Sequence, residues 1–440
     1  MIIKPKKHGR LALLLILTAV IALACSVNAI AVKSPAKQTT YRTVTEIYDW
    51  GAAIPRIIVD LGNSVKQGSV SKDTFKVFVS RSDTRMATPL LGEGYRKVTK
   101  AYISDKNGKS AATGRYAVLE MEVGPDVTLS LPLNYYNDRN VWINCDYTVT
   151  QTKDIVSGKC KISGLVADKC AGGVKKLVDN FLFGKATYDG KTLTYAHYIP
   201  AKDNKKNPLI IWLHGSGEGG TDATIPLSAN KSVNFSTEKI QSYFGGAYVL
   251  VPQTPGDWGD GFTKLEDGTS IYEKSLMALI QNYISQNKDI DQNRIYIGGC
   301  SNGGYMTMLM IRDYPGYFAA AFPACGNLKD SLITDEDIQK IKETPIWLVA
   351  AKTDTGVPPE SFEIPTYNRI IKAGAQDAHF TLFDDVHDTT GLYKNADGTP
   401  YEYVGHFSWI YVYNNECEEM INGKATTIME WLTSKLLIKR

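Results

Sequence analysis

Histidine is scarce in this 440-residue chain, with six residues in all. No HExxH motif occurs and no two cysteines stand in CxxC spacing, so a catalytic or structural zinc site lacks its usual ligand set. A strong excess of charge is also missing. The formal net charge is +3, and Lys4, Lys6, Lys7 and Arg10 supply +4 in a head without acidic residues, leaving 3 − 4 = −1 for the rest. That balance argues against nucleic acid as a partner. Self-similarity at a period of about 40–50 residues is absent as well, which disfavours a β-propeller ahead of a catalytic domain.

What is present suits a globular protein: 43% of residues are hydrophobic and 22% charged, so a large core can form. At roughly 100–200 residues per domain, the length predicts two or three domains. The basic head runs into the apolar segment Leu11 to Cys25 and then Val27-Asn28-Ala29, the pattern of a signal peptide spanning residues 1–29. Two rival readings keep the segment as a short membrane anchor or make Cys25 a lipid-modified cysteine. All three expect export, to the extracellular space or the cell envelope, and after cleavage no stable membrane insertion. Of seven cysteines, Cys145, Cys160, Cys170, Cys300, Cys325 and Cys417 then remain. An oxidising compartment permits disulfides among them, and free thiols are equally compatible.

Residues 40–170 read as short alternating runs such as Thr74 to Asp83 and Arg115 to Val123, broken by Gly, Asn and Asp. An all-β, immunoglobulin-like sandwich is expected there. Residues 175–440 open with a strand pair between Phe181 and Pro200, then alternate apolar strands with helical stretches. Strands are predicted at 209–215, 247–253, 294–300, 317–325, 345–354 and 379–386, and helices at 272–287, 303–314, 362–373 and 426–437. This is the α/β signature of a mostly parallel sheet with helices on both faces.

The strand RIYIGGC runs into Gly299-Cys300-Ser301-Asn302-Gly303 and then a helix, so a GxSxG motif lies at a strand-to-helix corner. Small residues on both sides let the chain turn tightly enough to project a serine hydroxyl, which makes Ser301 the candidate nucleophile. A serine needs a base, and three histidines follow it. His379 begins an apolar strand and reads as packed; His387, ending that strand, and His406, in the loop Gly405-His406-Phe407 before the last helices, are both topologically possible, and loop placement together with the resemblance carried by GHFSW favours His406. The orienting acid should end a strand between them, which selects Asp354, with Asp384, Asp385 and Asp388 as competitors. Leu213 to Gly220 (LHGSGEGG) contains GxGxxG by letters, but Thr221 to Pro226 starts no convincing helix, so a dinucleotide site is set aside. The loop is read instead as an oxyanion loop in which the backbone N–H groups of Ser216 and Asn302 face the reacting carbonyl. His214 is placed beside substrate as a support of that loop. Trp258, with Tyr393, Tyr401 and Tyr403, is placed on the wall of an acyl or sugar subsite.

LHGSGEGG, GGCSNGG, an aspartate ending the later strand and GHFSW together resemble the α/β-hydrolase esterases that carry an N-terminal immunoglobulin-like domain. Polyhydroxybutyrate-depolymerase-like and feruloyl-esterase-like enzymes are near neighbours. The resemblance is carried by Phe181 to Leu437, and in the β domain only by pattern. Cys300 and the turn-rich stretch Gly391 to Tyr403 depart from the pattern. The resemblance implies a secreted serine esterase acting through a covalent acyl-enzyme on a small-molecule or polysaccharide-linked ester, with no metal or cofactor required. A serine peptidase of the prolyl-oligopeptidase-like group and a non-catalytic binding protein on the same scaffold remain as alternatives.

Overall fold

Period-two alternation builds the N-terminal part of the computed structural model, which describes residues 37–259 and 267–437. The leader expected at residues 1–29 lies outside them. Strand Phe75–Ser82 buries Phe75, Val77, Val79 and Arg81 and turns the intervening residues outward, as a pleated strand with one covered face must. Eight strands form one sheet, in which Lys37–Tyr48 pairs parallel with Leu165–Lys175 and antiparallel with Gly51–Lys66. A single continuous sheet, rather than two separate ones, therefore encloses the core of Tyr41, Ile57, Val59, Val77, Val79 and Val149. Arg96, on the edge strand Leu90–Arg96, reaches across to the other half of the sheet, where its guanidinium donates to the carbonyls of Ile54 and Glu122 at 3.3 and 2.8 Å.

The second sheet has the spatial order Leu182–Tyr188, Lys191–Tyr198, Tyr248–Gln253, Asn207–Leu213, Ile290–Cys300, Ala320–Ala324, Ile346–Ala351 and Ala378–Phe383. The first two strands form an antiparallel pair that adds antiparallel to Tyr248–Gln253, and all later pairings are parallel. Within Asn207–Leu213, Ile210 and Trp212 join one buried cluster while Leu209, Ile211 and Leu213 join another on the opposite face. Both faces are thus covered, which explains the unbroken apolar runs in the sequence. The helices expected at 272–287, 303–314 and 362–373 are found as Glu273–Gln286, Asn302–Asp313 and Glu363–Lys372. The last one shrinks to Ile428–Thr433, because Lys424–Thr427 pairs with Glu418–Ile421 as a hairpin. A five-residue helix, Thr224–Ser228, stands where no helix was expected.

Strand order reverses at Asn207–Leu213, which lies between Tyr248–Gln253 and Ile290–Cys300. Ligands of open α/β sheets bind beyond the strand C-termini at such a switch point, and here LHGSGEGG and the Ser301 corner leave the sheet side by side. Leu213 pairs with Gly299 in register.

The β domain is fastened over that end of the sheet. Lys231 Nζ lies 2.5 Å from Asp49 Oδ1 and donates to Asn414 Oδ1 at 3.1 Å, with both charged side chains largely buried. The stretch Gly391 to Tyr403 straps back onto the β domain: the Tyr393 ring meets Trp50 edge-on at 4.6 Å, and Tyr401 Oη donates to Asp126 at 2.9 Å. All six cysteines among the described residues are unbridged, with Cys300, Cys325 and Cys417 buried.

Candidate active site

The corner after Ile290–Cys300 puts Ser301 at φ 53° and ψ −117°, immediately before helix Asn302–Asp313. A non-glycine residue in that region is strained by about 1–3 kcal/mol, and such strain collects where a side chain must be presented. The turn is tight enough that a Cβ on Gly303 would collide with the Leu213 carbonyl, so only glycine fits there.

Asp354, three residues past the end of Ile346–Ala351, has a fully buried side chain. Its Oδ1 accepts the N–H groups of Gly356 and Val357 at 2.9 and 2.8 Å, and its Oδ2 accepts from His406 Nδ1 at 2.7 Å. That bond fixes the proton on Nδ1 and leaves Nε2 as the basic atom. His406 reaches the strand end because Gly405 packs on the Thr353 carbonyl, where a Cβ would clash. Ser301 and His406 line one cavity of about 450 Å³. The structure thus brings Ser301, Asp354 and His406 to one place. It sends the competitors elsewhere: His387 pairs with the half-exposed Asp385, and His379 lies between Asp377 and Glu419.

The loop Gly215 to Gly219 borders the same cavity. Gly215, Ser216 and Gly217 line it, and among the described residues the Ser216 N–H has no acceptor. The inner side of the loop is held by Glu218, whose Oε2 accepts the Gly215 N–H at 2.8 Å. Burial pushes the Glu218 carboxyl up to about 8. His214 Nδ1 donates to the Gly215 carbonyl at 2.7 Å, while its Nε2 accepts the Thr254 N–H at 3.1 Å. Burial lowers the His214 ring to about 4, so it is a neutral support.

Two expected substrate contacts are corrected. His214 and Trp258 are both 0% exposed and lie behind the loop rather than in the cavity. The Trp258 indole N–H donates to the His214 carbonyl at 3.0 Å, and its backbone N–H to Asn302 Oδ1 at 2.6 Å. Large apolar side chains fill the space behind a tightly turned loop, and an indole can satisfy its N–H there. Tyr393 and Tyr401 likewise serve the domain contact, and Tyr403 is buried in the core of the second domain. The aromatic walls come instead from Trp50, Tyr135, Phe407 and Trp409, with Asp49, Asn140 and Asn230 as polar neighbours. Sequence reading missed the β-domain members of that set. A signal for one element existed: Asn137-Asp138, both at positive φ, is a tight turn that joins Leu133–Tyr136 to Arg139–Trp142. Among the described residues, no group of three or more His, Cys, Asp or Glu side chains could hold a metal ion.

A strained serine at a strand-to-helix corner, a histidine held by a buried carboxylate after a later strand, and this strand order define an α/β-hydrolase fold preceded by a β-rich domain. Residues 40–164 match the Esterase Ig-like N-terminal domain model, and residues 195–391 match the Phospholipase/Carboxylesterase model. The chain is therefore similar to α/β-hydrolase esterases with an N-terminal immunoglobulin-like domain, as its motifs implied. A solved thermostable esterase shares the fold, with 26% identity, a TM-score of 0.73, and coverage of 90% of this chain and 99% of that one. Feruloyl esterase B of Neurospora crassa is 30% identical over 28% of this chain and 40% of its own length. Acylamino-acid-releasing enzyme 1 of Oryza sativa subsp. japonica is 29% identical over 37% of this chain and 20% of its own. The chain thus spans a fifth to two fifths of these curated relatives.

Proposed function

We propose that this protein is a secreted serine hydrolase that cleaves carboxylic esters. The observation that carries the reading is the convergence of Ser301, at positive φ, and His406, held by buried Asp354, on one cavity. In this reading Ser301 Oγ attacks the ester carbonyl and His406 Nε2 takes its proton. The Ser216 and Asn302 N–H groups receive the negative charge of the tetrahedral intermediate. Collapse expels the alcohol, which leaves with the proton from His406, and the acyl group stays on Ser301. Water then attacks the acyl-enzyme, again deprotonated by His406, and releases the acid. None of these steps calls on a metal or a cofactor. Asp354 keeps the ring in the productive tautomer and stabilises the imidazolium.

The substrate is a small-molecule ester or an ester carried on a polysaccharide. A cavity of about 450 Å³ walled by Trp50, Tyr135, Phe407 and Trp409 suits a compact apolar or aromatic group beside the scissile bond. The N-terminal domain, residues 40–170, is read as an immunoglobulin-like sandwich whose sheet curls over one core, and residues 175–440 as the catalytic domain. Secretion rests on the basic and apolar leader. No helix of the described residues is long and apolar enough to cross a membrane.

Hydrolysis of p-nitrophenyl acetate and longer esters by the purified protein tests this reading. Loss of turnover in Ser301→Ala and His406→Ala, with labelling of the wild type by a fluorophosphonate, is expected. Equal turnover in wild type and Ser301→Ala would refute it. Similarity to an acylamino-acid-releasing enzyme supports a second reading, a serine peptidase, and faster cleavage of acyl-peptide amides than of matched esters would select it.

A further inference from the structure

The oxyanion loop is gripped from outside by the other domain. Arg139, on the second strand of the hairpin Leu133–Tyr136 and Arg139–Trp142, donates from Nη1 to the Ser216 carbonyl at 3.3 Å and from Nη2 to the Pro255 carbonyl at 3.0 Å. Asn140 Nδ2 donates to the Gly217 carbonyl at 3.1 Å. The Tyr135 ring sits so close to Gly217 that a Cβ there would meet it at 2.9 Å. The hairpin is itself rigidly held. Arg85, paired at 2.6 Å with the buried Asp83, donates to the carbonyls of Asn134, Tyr136 and Arg139 at 3.0, 3.1 and 3.1 Å.

In a planar trans peptide the carbonyl of one residue and the N–H of the next point in opposite directions. A donor that fixes the Ser216 carbonyl therefore fixes the Gly217 N–H, and one on the Gly217 carbonyl fixes the Glu218 N–H, which closes the turn onto the Gly215 carbonyl at 3.1 Å. From inside, His214 and Glu218 hold both sides of Gly215. Within the turn the Ser216 carbonyl has one other partner, the Gly219 N–H at 3.3 Å. Without Arg139, the Ser216–Gly217 peptide, which directly follows the one carrying the Ser216 N–H, would be held at its carbonyl by the Gly219 N–H alone and would be freer to rotate. Preorganised donors act in catalysis because they need no reorientation as the charge appears.

We infer that Arg139 and Asn140 of the β domain are positioning residues for the oxyanion loop of the neighbouring domain. The inference rests on the ester-hydrolase reading for its consequence in turnover, but the effect on the loop itself is measurable without it. Three full-length variants separate positioning from simple docking: Arg139→Ala, Arg139→Lys, and Trp142→Phe. The last removes a domain contact of the same hairpin, the indole N–H to Thr224 Oγ1 at 2.7 Å, without touching the loop carbonyls.

Turnover of p-nitrophenyl acetate is read together with amide hydrogen exchange across residues 213–220. Arg139→Ala should lower kcat by roughly 10- to 100-fold with KM within about threefold, a part of the loss seen when an oxyanion donor is deleted. It should also speed exchange in the loop. Arg139→Lys, which keeps one donor, should recover part of both and covers the case in which the alanine variant does not fold. Trp142→Phe should match the wild type in kcat and in loop exchange. Wild-type kcat and exchange in both Arg139 variants, or an equal fall in Trp142→Phe, would overturn the inference. If Ser301→Ala were as active as wild type, the ester reading would fail and the exchange data alone would decide the loop.

Discussion

The Asp354–His406 and Asp385–His387 pairs offer nearly the same bond in two surroundings. Each follows Ser301 in the chain, and in each an aspartate oxygen lies 2.5 to 2.7 Å from Nδ1. In the first, the carboxylate is fully buried, its other oxygen is occupied by two backbone N–H groups, and the ring borders the Ser301 cavity. In the second, both side chains are about two-fifths exposed and the ring rests against Tyr411. A bond in water can be traded for one with solvent at little cost, whereas a buried carboxylate held by three hydrogen bonds across both oxygens keeps one orientation. A His–Asp contact thus distinguishes nothing by itself; what sets Asp354–His406 apart is its burial and its place on the Ser301 cavity.

The comparison breaks most decisively at the acid. Asp354→Asn should leave the fold intact but favour the wrong imidazole tautomer, lowering kcat by about 10⁴. His387→Ala should keep kcat within about twofold in the same p-nitrophenyl ester assay. Equal losses in the two variants would erase the distinction drawn between the pairs.

A smaller effect tests burial of charge where the two domains meet beside the cavity. Lys231 and Asp49 join the two domains with side-chain exposures of 16% and 4%. Asp49→Ala strands a buried ammonium and should cost about 3–5 kcal/mol in urea unfolding. Replacing the more exposed partner in Lys352–Asp384, exposed by 57% and 87%, should leave the urea midpoint close to that of the wild type.

The smallest effect comes from the third pair. Burial alone would lower the pKa of His379, yet hydrogen bonds to Asp377 and Glu419 and their charges carry it from 6.5 to about 9. A pKa raised in the folded state stabilises the protein fully below pH 6.5, and that contribution is lost as pH rises through 9. Between these values Tm should fall in the wild type and fall less in His379→Gln. A wild-type Tm that rose over this window would contradict the assignment.

How much of this was legible beforehand follows from how local each signal is. The strand-to-helix corner at Ser301 needs only Gly299, Gly303 and the flanking apolar patterns, so a dozen residues encode it. Asp354 was readable because it ends an apolar strand, and His406 because a glycine precedes it in the last loop. The domain order and the α/β alternation were readable for the same reason, since pleat and helix periods repeat within one element. Trp258 misled, because a tryptophan in a loop carries no sign of whether it faces a cavity or fills the space behind a turn.

Sequence by itself determined the two-part architecture, the strand-to-helix corner at Ser301 and the chain order of Ser301, Asp354 and His406. Only the tertiary structure decided which aromatic residues wall the cavity and that Arg139 and Asn140 grip the Gly215 to Gly219 loop. Those contacts join residues 77 positions apart in the chain, through side chains meeting backbone carbonyls. A carbonyl acceptor is the same at every residue, so no residue pattern encodes which one a distant guanidinium will find.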